Sequence, residues 1–350
     1  MQHDLTGMPR IGDGLMRAAA FVHVPGLLKA LGHNPVSILK AAGLPPDALS
    51  QPENVVPVNK AVRLLMLGAA RTGRPQFGLY VGQRISLKQY GLIGLRMMNA
   101  PTVGVAWRGL VLTLHLNDRI NVPSLTVRDR VATLSFTHYR EFGEAAQNIM
   151  DFTLASACVA MRTLCGARWA PSEVHFAHRA PADPRPYLSF FKAPVHFGST
   201  RTALMFPSSW LDRRIEAADP AMRRVIEQVL ADTMRDQDLT LMEKVRRALF
   251  VQITEDGVSI EGVARMLGLH KRTLNRRLAE THTSFARLLG EVRFQLAREL
   301  LIGTDLPLID IAAALHYTDA SAFSRAFRSW SAMTPSAWRQ DQAEKNRVAA

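Results

Sequence analysis

Cysteine is nearly absent from this chain of 350 residues, occurring only as Cys158 and Cys165. Both fall in one expected helix, on one face but separated by roughly 10 Å of rise, too far to bridge easily. Buried free thiols in a reducing compartment are therefore expected, and a disulfide framework or four-Cys metal site is excluded. Long apolar runs are missing too, none reaching the roughly 18 to 20 residues a membrane span needs. The opening Met1-Gln2-His3-Asp4 has no basic n-region, and the apolar stretch from Ala18 to Val24 stops at Pro25 without a small-residue cleavage site. A cytoplasmic protein with no membrane partner is expected. There is no G-x-S-x-G, no P-loop and no dinucleotide fingerprint, and the 11 His show neither HExxH nor zinc-finger spacing. An enzyme, a cofactor and a metal site are thus not expected.

The composition that is present, 47% hydrophobic and 21% charged, is that of a globular protein with room for two domains, each burying its own core. The formal charge of +13 fits a polyanionic partner, but its placement is uneven. Residues 251–350 hold 13 basic and 11 acidic side chains, a net of +2, and the other +11 lies in residues 1–250. Global charge therefore says little about DNA, and local placement carries the argument. Locally, Lys271, Arg272, Arg276 and Arg277 fall close together, with no acid between Glu261 and Glu280.

The last hundred residues contain one pattern twice. Val263-Ala264-Arg265-Met266-Leu267-Gly268-Leu269 lies 48 positions before Ile311-Ala312-Ala313-Ala314-Leu315-His316-Tyr317. Each is followed by a second amphipathic segment, Leu274 to Leu278 and Phe323 to Phe327, at an offset of 49, so the second copy has one extra residue in its turn. A short helix with a small Ala, a tight turn and a helix burying two large apolar residues four apart describe a helix-turn-helix. Two such units suit the reading of two stretches of major groove.

Upstream, helices are expected over 25–31, 36–42, 58–71 and 103–116, a hairpin over 124–136 turning at Asp129-Arg130, and a helix from Gly143 to about Leu164. Strands are expected over 173–177 and 202–206 on either side of a Pro-rich loop, 180–186, and Pro220 opens a helix to about Asp236. This is an α+β domain over 1–235, with Asp236-Gln237-Asp238 as its boundary. An all-α domain follows over 239–340, then a tail at 341–350. In it, Leu241 to Ile253 is the first helix and Ser259 caps the next. Phe285, Leu288, Leu289, Val292, Leu296 and Leu300 form one stripe on a helix of about 27 Å from Ser284 to about Leu301, a strut joining the two units.

From about Leu241 to Arg339 these residues resemble the AraC/XylS family of bacterial transcription regulators, above all from Ile311-Ala312 through Phe323-Ser324-Arg325-Ala326-Phe327 and Trp330 to Thr334-Pro335-Ser336-Ala337-Trp338-Arg339. The chain departs from the family pattern at His316-Tyr317, where Gly-Phe is usual, and at Ala332, where Gly is usual. His316 at a position that often needs a left-handed backbone implies strain of about 1 to 2 kcal/mol. Tyr90 to Gly94, Ala100-Pro101-Thr102, Pro171 to Phe176 and Phe190 to Gly198 resemble the branch that includes ornithine-utilisation regulators. That implies an N-terminal domain that senses a small-molecule effector and forms a homodimer. The family resemblance also implies RNA polymerase as a partner and an activator more than a repressor.

The candidates for contact with a double-stranded DNA operator are Lys271, Arg272, Thr273, Asn275 and Arg276 in the first unit and Ser321, Ser324, Arg325 and Arg328 in the second. Arg can bind guanine O6 and N7 in bidentate fashion, Asn can do the same for adenine, and hydroxyls mostly hold phosphates. A solvated helix face is the ordinary reading of one surface Arg, and the repeated context argues against it here. Arg276 and Arg325, equivalent in the two copies, either read bases or serve phosphate contact and structure. Tyr317, Phe323, Phe327 and Trp330 are expected to pack in a core instead of stacking on bases. Arg96, His115, Tyr139 and Arg140 could reach an effector pocket, but their spacing does not place one. A DNA-binding architectural protein without a ligand is the alternative function.

Overall fold

The computed structural model describes residues 11–12, 14–236, 239–254 and 257–349. Short helices lead the chain: α1 (Val24–Ala30), α2 (Pro35–Ala42), α3 (Val58–Thr72), α4 (Phe77–Gly82), α5 (Leu92–Met98) and α6 (Val103–Thr113). A small antiparallel pair, β1 (Leu15–Arg17) with β2 (Val55–Pro57), sits among them. Side-chain caps or left-handed stops bound some of these helices. Asn34 accepts the Val36 N–H at the start of α2, and Gly43, at φ 80°, ends it. Thr102 caps α6 in the same way.

A five-stranded sheet follows, β3 (Asn121–Arg128), β4 (Val131–His138), β5 (Glu173–His175), β6 (Val195–His196) and β7 (Thr202–Pro207), in the order β3-β4-β7-β5-β6. All pairs are antiparallel except β5 with β6. The β3–β4 turn is the expected Asp129-Arg130, with φ of 48° and 64°. Positive φ at both central residues gives a two-residue turn the twist its strands need. The buried helix α7 (Ala146–Cys165) packs against this sheet and against α4. A Cβ on Gly78 of α4 would lie 1.9 Å from the Asn148 carbonyl oxygen, so only glycine permits that approach. Leu154 and Cys158 of α7 belong to one core and Ile149 and Phe152 to a second, which makes α7 the wall between them. Cys158 and Cys165 are buried free thiols, as expected, and burial pushes them up to about 12 and about 11.

Several expected elements shift at their ends. The helix expected over 103–116 finishes in a 3-10 turn at Leu114–Leu116, and the one from Gly143 begins in a 3-10 turn at Gly143–Ala145. The strand expected over 173–177 pairs only to His175, because the Ala177 N–H turns to the Thr202 hydroxyl. The loop expected over 180–186 ends two residues early, because Arg185 and Pro186 open α8 (Arg185–Phe191). These segments, like β1, β2 and β6, are too short to show a period.

Asp219 caps α9 (Pro220–Asp236), accepting from Ala221 and Met222. Gln237 and Asp238, read as the boundary, lie outside the described residues. Beyond them are α10 (Leu241–Thr254), α11 (Ile260–Met266), α12 (Lys271–Glu280), α13 (Phe285–Gly303), α14 (Leu308–Ala314), α15 (Ala320–Ser331) and α16 (Pro335–Ala349). Their core runs from Val245 to Phe327 and includes Val122 of β3. Helix α16 continues through residues set apart above as a tail.

Candidate nucleic-acid interface

The repeat seen in the sequence is a repeat in space. In α11, Ala264 is buried, its carbonyl accepts from Leu269 at 2.8 Å, and Gly268 between them is left-handed at φ 65°. In α14, Ala312 is buried, its carbonyl accepts from Tyr317 at 2.9 Å, and His316 is left-handed at φ 56°. Both are the same left-handed helix stop. The extra residue of the second copy lies between Ala314 and Ala320, and there Asp319 caps α15 by accepting the Ala322 N–H at 2.7 Å.

The second helix of each unit buries its apolar pair and exposes the rest. Leu274 and Leu278 of α12 and Phe323 and Phe327 of α15 are buried, each worth roughly 1.5 to 3 kcal/mol. Lys271, Arg272, Asn275 and Arg276 are exposed on α12, and Thr273 is half-buried beside them. On α15, Ser321, Arg325 and Arg328 are exposed and Ser324 is half-buried. The fold thus presents each set on one helix. Arg276 pairs with Glu280 one turn on, at 2.9 Å. Such an exposed pair is worth only about 0.3 to 0.5 kcal/mol and is readily exchanged for a phosphate or a base. Lys271 reaches Glu261 at 2.6 Å, linking α12 to α11 and holding that carboxyl below its usual range.

The aromatic cluster packs as a core. Phe327 meets Phe294 at 5.2 Å, Phe323 at 5.8 Å and Trp338 at 5.9 Å, while Tyr317 meets Phe323 at 5.7 Å and Trp330 meets Phe294 at 5.4 Å. Two arginines given no role by the sequence reading hold the strut to the second unit. Arg293 of α13 donates to the His316 carbonyl at 3.0 Å and lies over the Tyr317 ring at 4.6 Å. Arg339 donates to the carbonyls of Leu301 and Leu306, at the end of α13 and in the loop after it. The sequence signal for Arg293 was an Arg beside the apolar stripe of α13, and for Arg339 its place at the end of the family-like signature.

A bracket of arginines joins the helical part to the sheet, again unforeseen. Arg247 donates to the carbonyls of Asn121 and Arg119, Arg119 pairs with Glu243 at 2.9 Å, and Arg298 pairs with Glu141. Gln295 donates to the His138 carbonyl at 3.0 Å. Arg179 grips the end of α13 by the Ile302 and Thr304 carbonyls and Asp305. A Cβ on Gly303 would stand 2.8 Å from the Ala177 carbonyl, so the two backbones nearly touch. Behind Arg179, His178 hydrogen-bonds to Asp151 of α7 at 3.1 Å, and Asp151 accepts from the buried Tyr187 hydroxyl at 2.6 Å.

Beside this bracket lies a cleft of about 1010 Å³, walled by His138, His178 and Arg179 on one side and Arg298, Glu299 and His316 on the other. A second space, about 70 Å³ and mostly apolar, lies among Trp107, Phe152, Tyr90, Asp118 and Ser156. Arg96, His115, Tyr139 and Arg140 line neither. Arg96 is instead held by Glu227 of α9 through two contacts of 2.9 Å, and Tyr139 lies beneath Arg247. Among the described residues no helix is long and apolar enough to cross a membrane.

Comparison with known proteins agrees with this division of labour. Residues 32–215, slightly more than half of the chain, match the arabinose-binding N-terminal domain of AraC transcription regulators, and residues 263–341 match a helix-turn-helix domain family. The chain is 28% identical over 320 residues to the ornithine utilization regulator of Pseudomonas aeruginosa, covering 90% of this chain and 93% of that one. It is 27% identical over 328 residues to the HTH-type transcriptional regulator VirS of Mycobacterium tuberculosis, covering 93% and 96%. Among solved structures, the transcriptional regulator CdpR from Pseudomonas aeruginosa is similar over 90% of this chain and 98% of that one, at 23% identity and a TM-score of 0.43.

Proposed function

We propose that this chain, which belongs to the AraC family of transcription regulators, is an effector-responsive, sequence-specific activator that reads two successive major grooves with α12 and α15. The observation that carries this reading is the pair of helix-turn-helix units on one strut, with matching turns and each exposing a polar and basic helix face. Helix α13 has 19 residues and is about 28 Å long, close to the roughly 34 Å of one duplex turn once the packing at its ends is added. Lys271, Arg272, Thr273, Asn275 and Arg276 contact one groove, and Ser321, Ser324, Arg325 and Arg328 the next. Residues 1–235 bind the effector and form the homodimer, residues 239–340 bind DNA, and residues 341–350 are a tail carried on α16. RNA polymerase is the partner of the DNA-bound form.

An effector acts only if it binds two arrangements unequally. Residues 1–235 supply one wall of the cleft beside Arg179 and the helical part supplies the other, so a ligand held by the first wall would bind differently as the second moves. A ligand seated there changes the grip of Arg179 on the strut and so the setting of both recognition helices. DNase footprinting on the promoters next to its own coding region tests the reading, at physiological salt with excess competitor DNA. Two protected patches about one turn apart per protomer are expected. Binding indifferent to sequence and lost with salt would mean that the +13 charge acts alone.

A further inference from the structure

Glu173, His175 and His196 bring three metal-ligating atoms within 4.8 Å of one another at the edge of the sheet. Linear motifs conceal this group, because its members lie on two strands. Glu173 and His175 are two apart on β5 and so share a face, and the parallel register sets His175 beside His196 on the edge strand β6. Glu173 Oε2 lies 3.0 Å from His175 Nε2 and 3.8 Å from His196 Nε2, and the two imidazoles stack at 4.8 Å. Donors on a tetrahedral zinc ion, each about 2.0 to 2.2 Å from it, sit roughly 3.3 Å apart, so a small side-chain adjustment suffices.

The hydrogen bonds around the group bear on what it holds. Ser199 Oγ donates its one proton to the His196 carbonyl at 3.2 Å and lies 3.2 Å from His175 Nδ1. With Nδ1 facing the Ser199 hydroxyl, His175 turns its Nε2 to the Glu173 carboxylate, 3.0 Å away. That separation suits a shared proton, and a metal ion entering the group would take the proton's place. A ligating His whose other nitrogen donates to a protein oxygen is the usual outer arrangement of a metal site. The three side chains are partly exposed and His175 borders the large cleft, so an ion can enter.

We propose that Glu173, His175 and His196 form a binding site for a divalent transition-metal ion such as zinc, with water completing its shell. The test is calorimetric titration of the chelator-treated full chain with Zn²⁺, together with melting in the presence and absence of the ion. One ion per chain with micromolar affinity is expected, raising Tm by linkage. Glu173→Gln and His196→Ala should each weaken binding more than about tenfold while melting like the wild type without metal. If either variant melts low, His196→Gln takes its place, since that residue is half exposed. Wild-type affinity weaker than about 1 mM, or folded variants that bind as tightly as the wild type, would overturn the proposal.

Discussion

The imidazole Nε2 of His316 lies 3.1 Å from the carbonyl oxygen of Ile253, tying the second turn to the end of α10. Gly268, its counterpart in the first turn, has the same left-handed backbone and no side chain to use. His316 thus combines about 1 to 2 kcal/mol of backbone strain with a hydrogen bond worth about 1 kcal/mol. His316→Gly relieves the strain and loses the bond, so urea unfolding should place it within about 1 kcal/mol of the wild type. His316→Ala keeps the strain and loses the bond, and should cost about 1 kcal/mol. An alanine variant as stable as the glycine one would mean that the turn is not strained.

Ala332 ends α15 at φ 61°, with its N–H donating to the Arg328 carbonyl. Glycine adopts that conformation without its Cβ penalty, partly offset by the greater freedom of the unfolded chain. Ala332→Gly should therefore stabilise the protein by about 0.5 to 1 kcal/mol, read as a higher Tm with unchanged DNA affinity.

Arg276 of α12 and Arg325 of α15 stand at equivalent places in the two copies. If each reads a base, replacing either by Ala should weaken operator binding by about 1 to 3 kcal/mol and relax specificity in one protected patch only. A uniform loss across sequences with a shallower salt slope would assign that Arg to phosphate instead. Wild-type affinity and footprint would remove it from the interface.

Gly303 meets the Ala177 carbonyl where the strut abuts the sheet. Gly303→Ala forces those backbones apart and weakens the hold of Arg179 on the end of α13. Scanning calorimetry should then resolve two transitions, the helical part melting first. One transition at the wild-type temperature would mean that the junction yields without cost.

Two groups beside the cleft set opposite pH limits. Burial pushes the Glu299 carboxyl up to about 8, opposed by the Gln295 amide and Arg298. Its folded value exceeds the ordinary 4.5, so its contribution to stability is complete below that pH and is lost as pH rises towards 8. Burial pushes His138 down to about 3, so its contribution is complete above 6.5 and is lost as pH falls towards 3. Glu299→Gln should remove most of the decline between pH 5 and 8, which unfolding at several pH values would reveal. An unchanged decline would place its origin elsewhere.

The helical part of the molecule was largely legible from the chain alone. Leu274 and Leu278, Phe323 and Phe327, and the small Ala264 and Ala312 are local patterns, and local patterns suffice for helices whose period and caps lie within a few residues. The one-residue offset between the copies proved to be the longer second turn that Asp319 closes. The hairpin at Asp129-Arg130 and the start of α9 at Pro220 were readable for the same reason.

Only the tertiary structure decided what depends on partners far apart in sequence. Glu173 and His175 meet His196 because β5 and β6 run parallel, and Arg179 finds Ile302, Thr304 and Asp305 because the strut ends against the sheet. The role of His316 was undecidable until Ile253 stood beside it. The sequence by itself determined the periods, caps and stops of the elements, since these arise from neighbours along the chain. Which polar groups face one another across the junction, and so where an ion or an effector can act, follows from the packing of whole elements, and no run of residues encodes that locally.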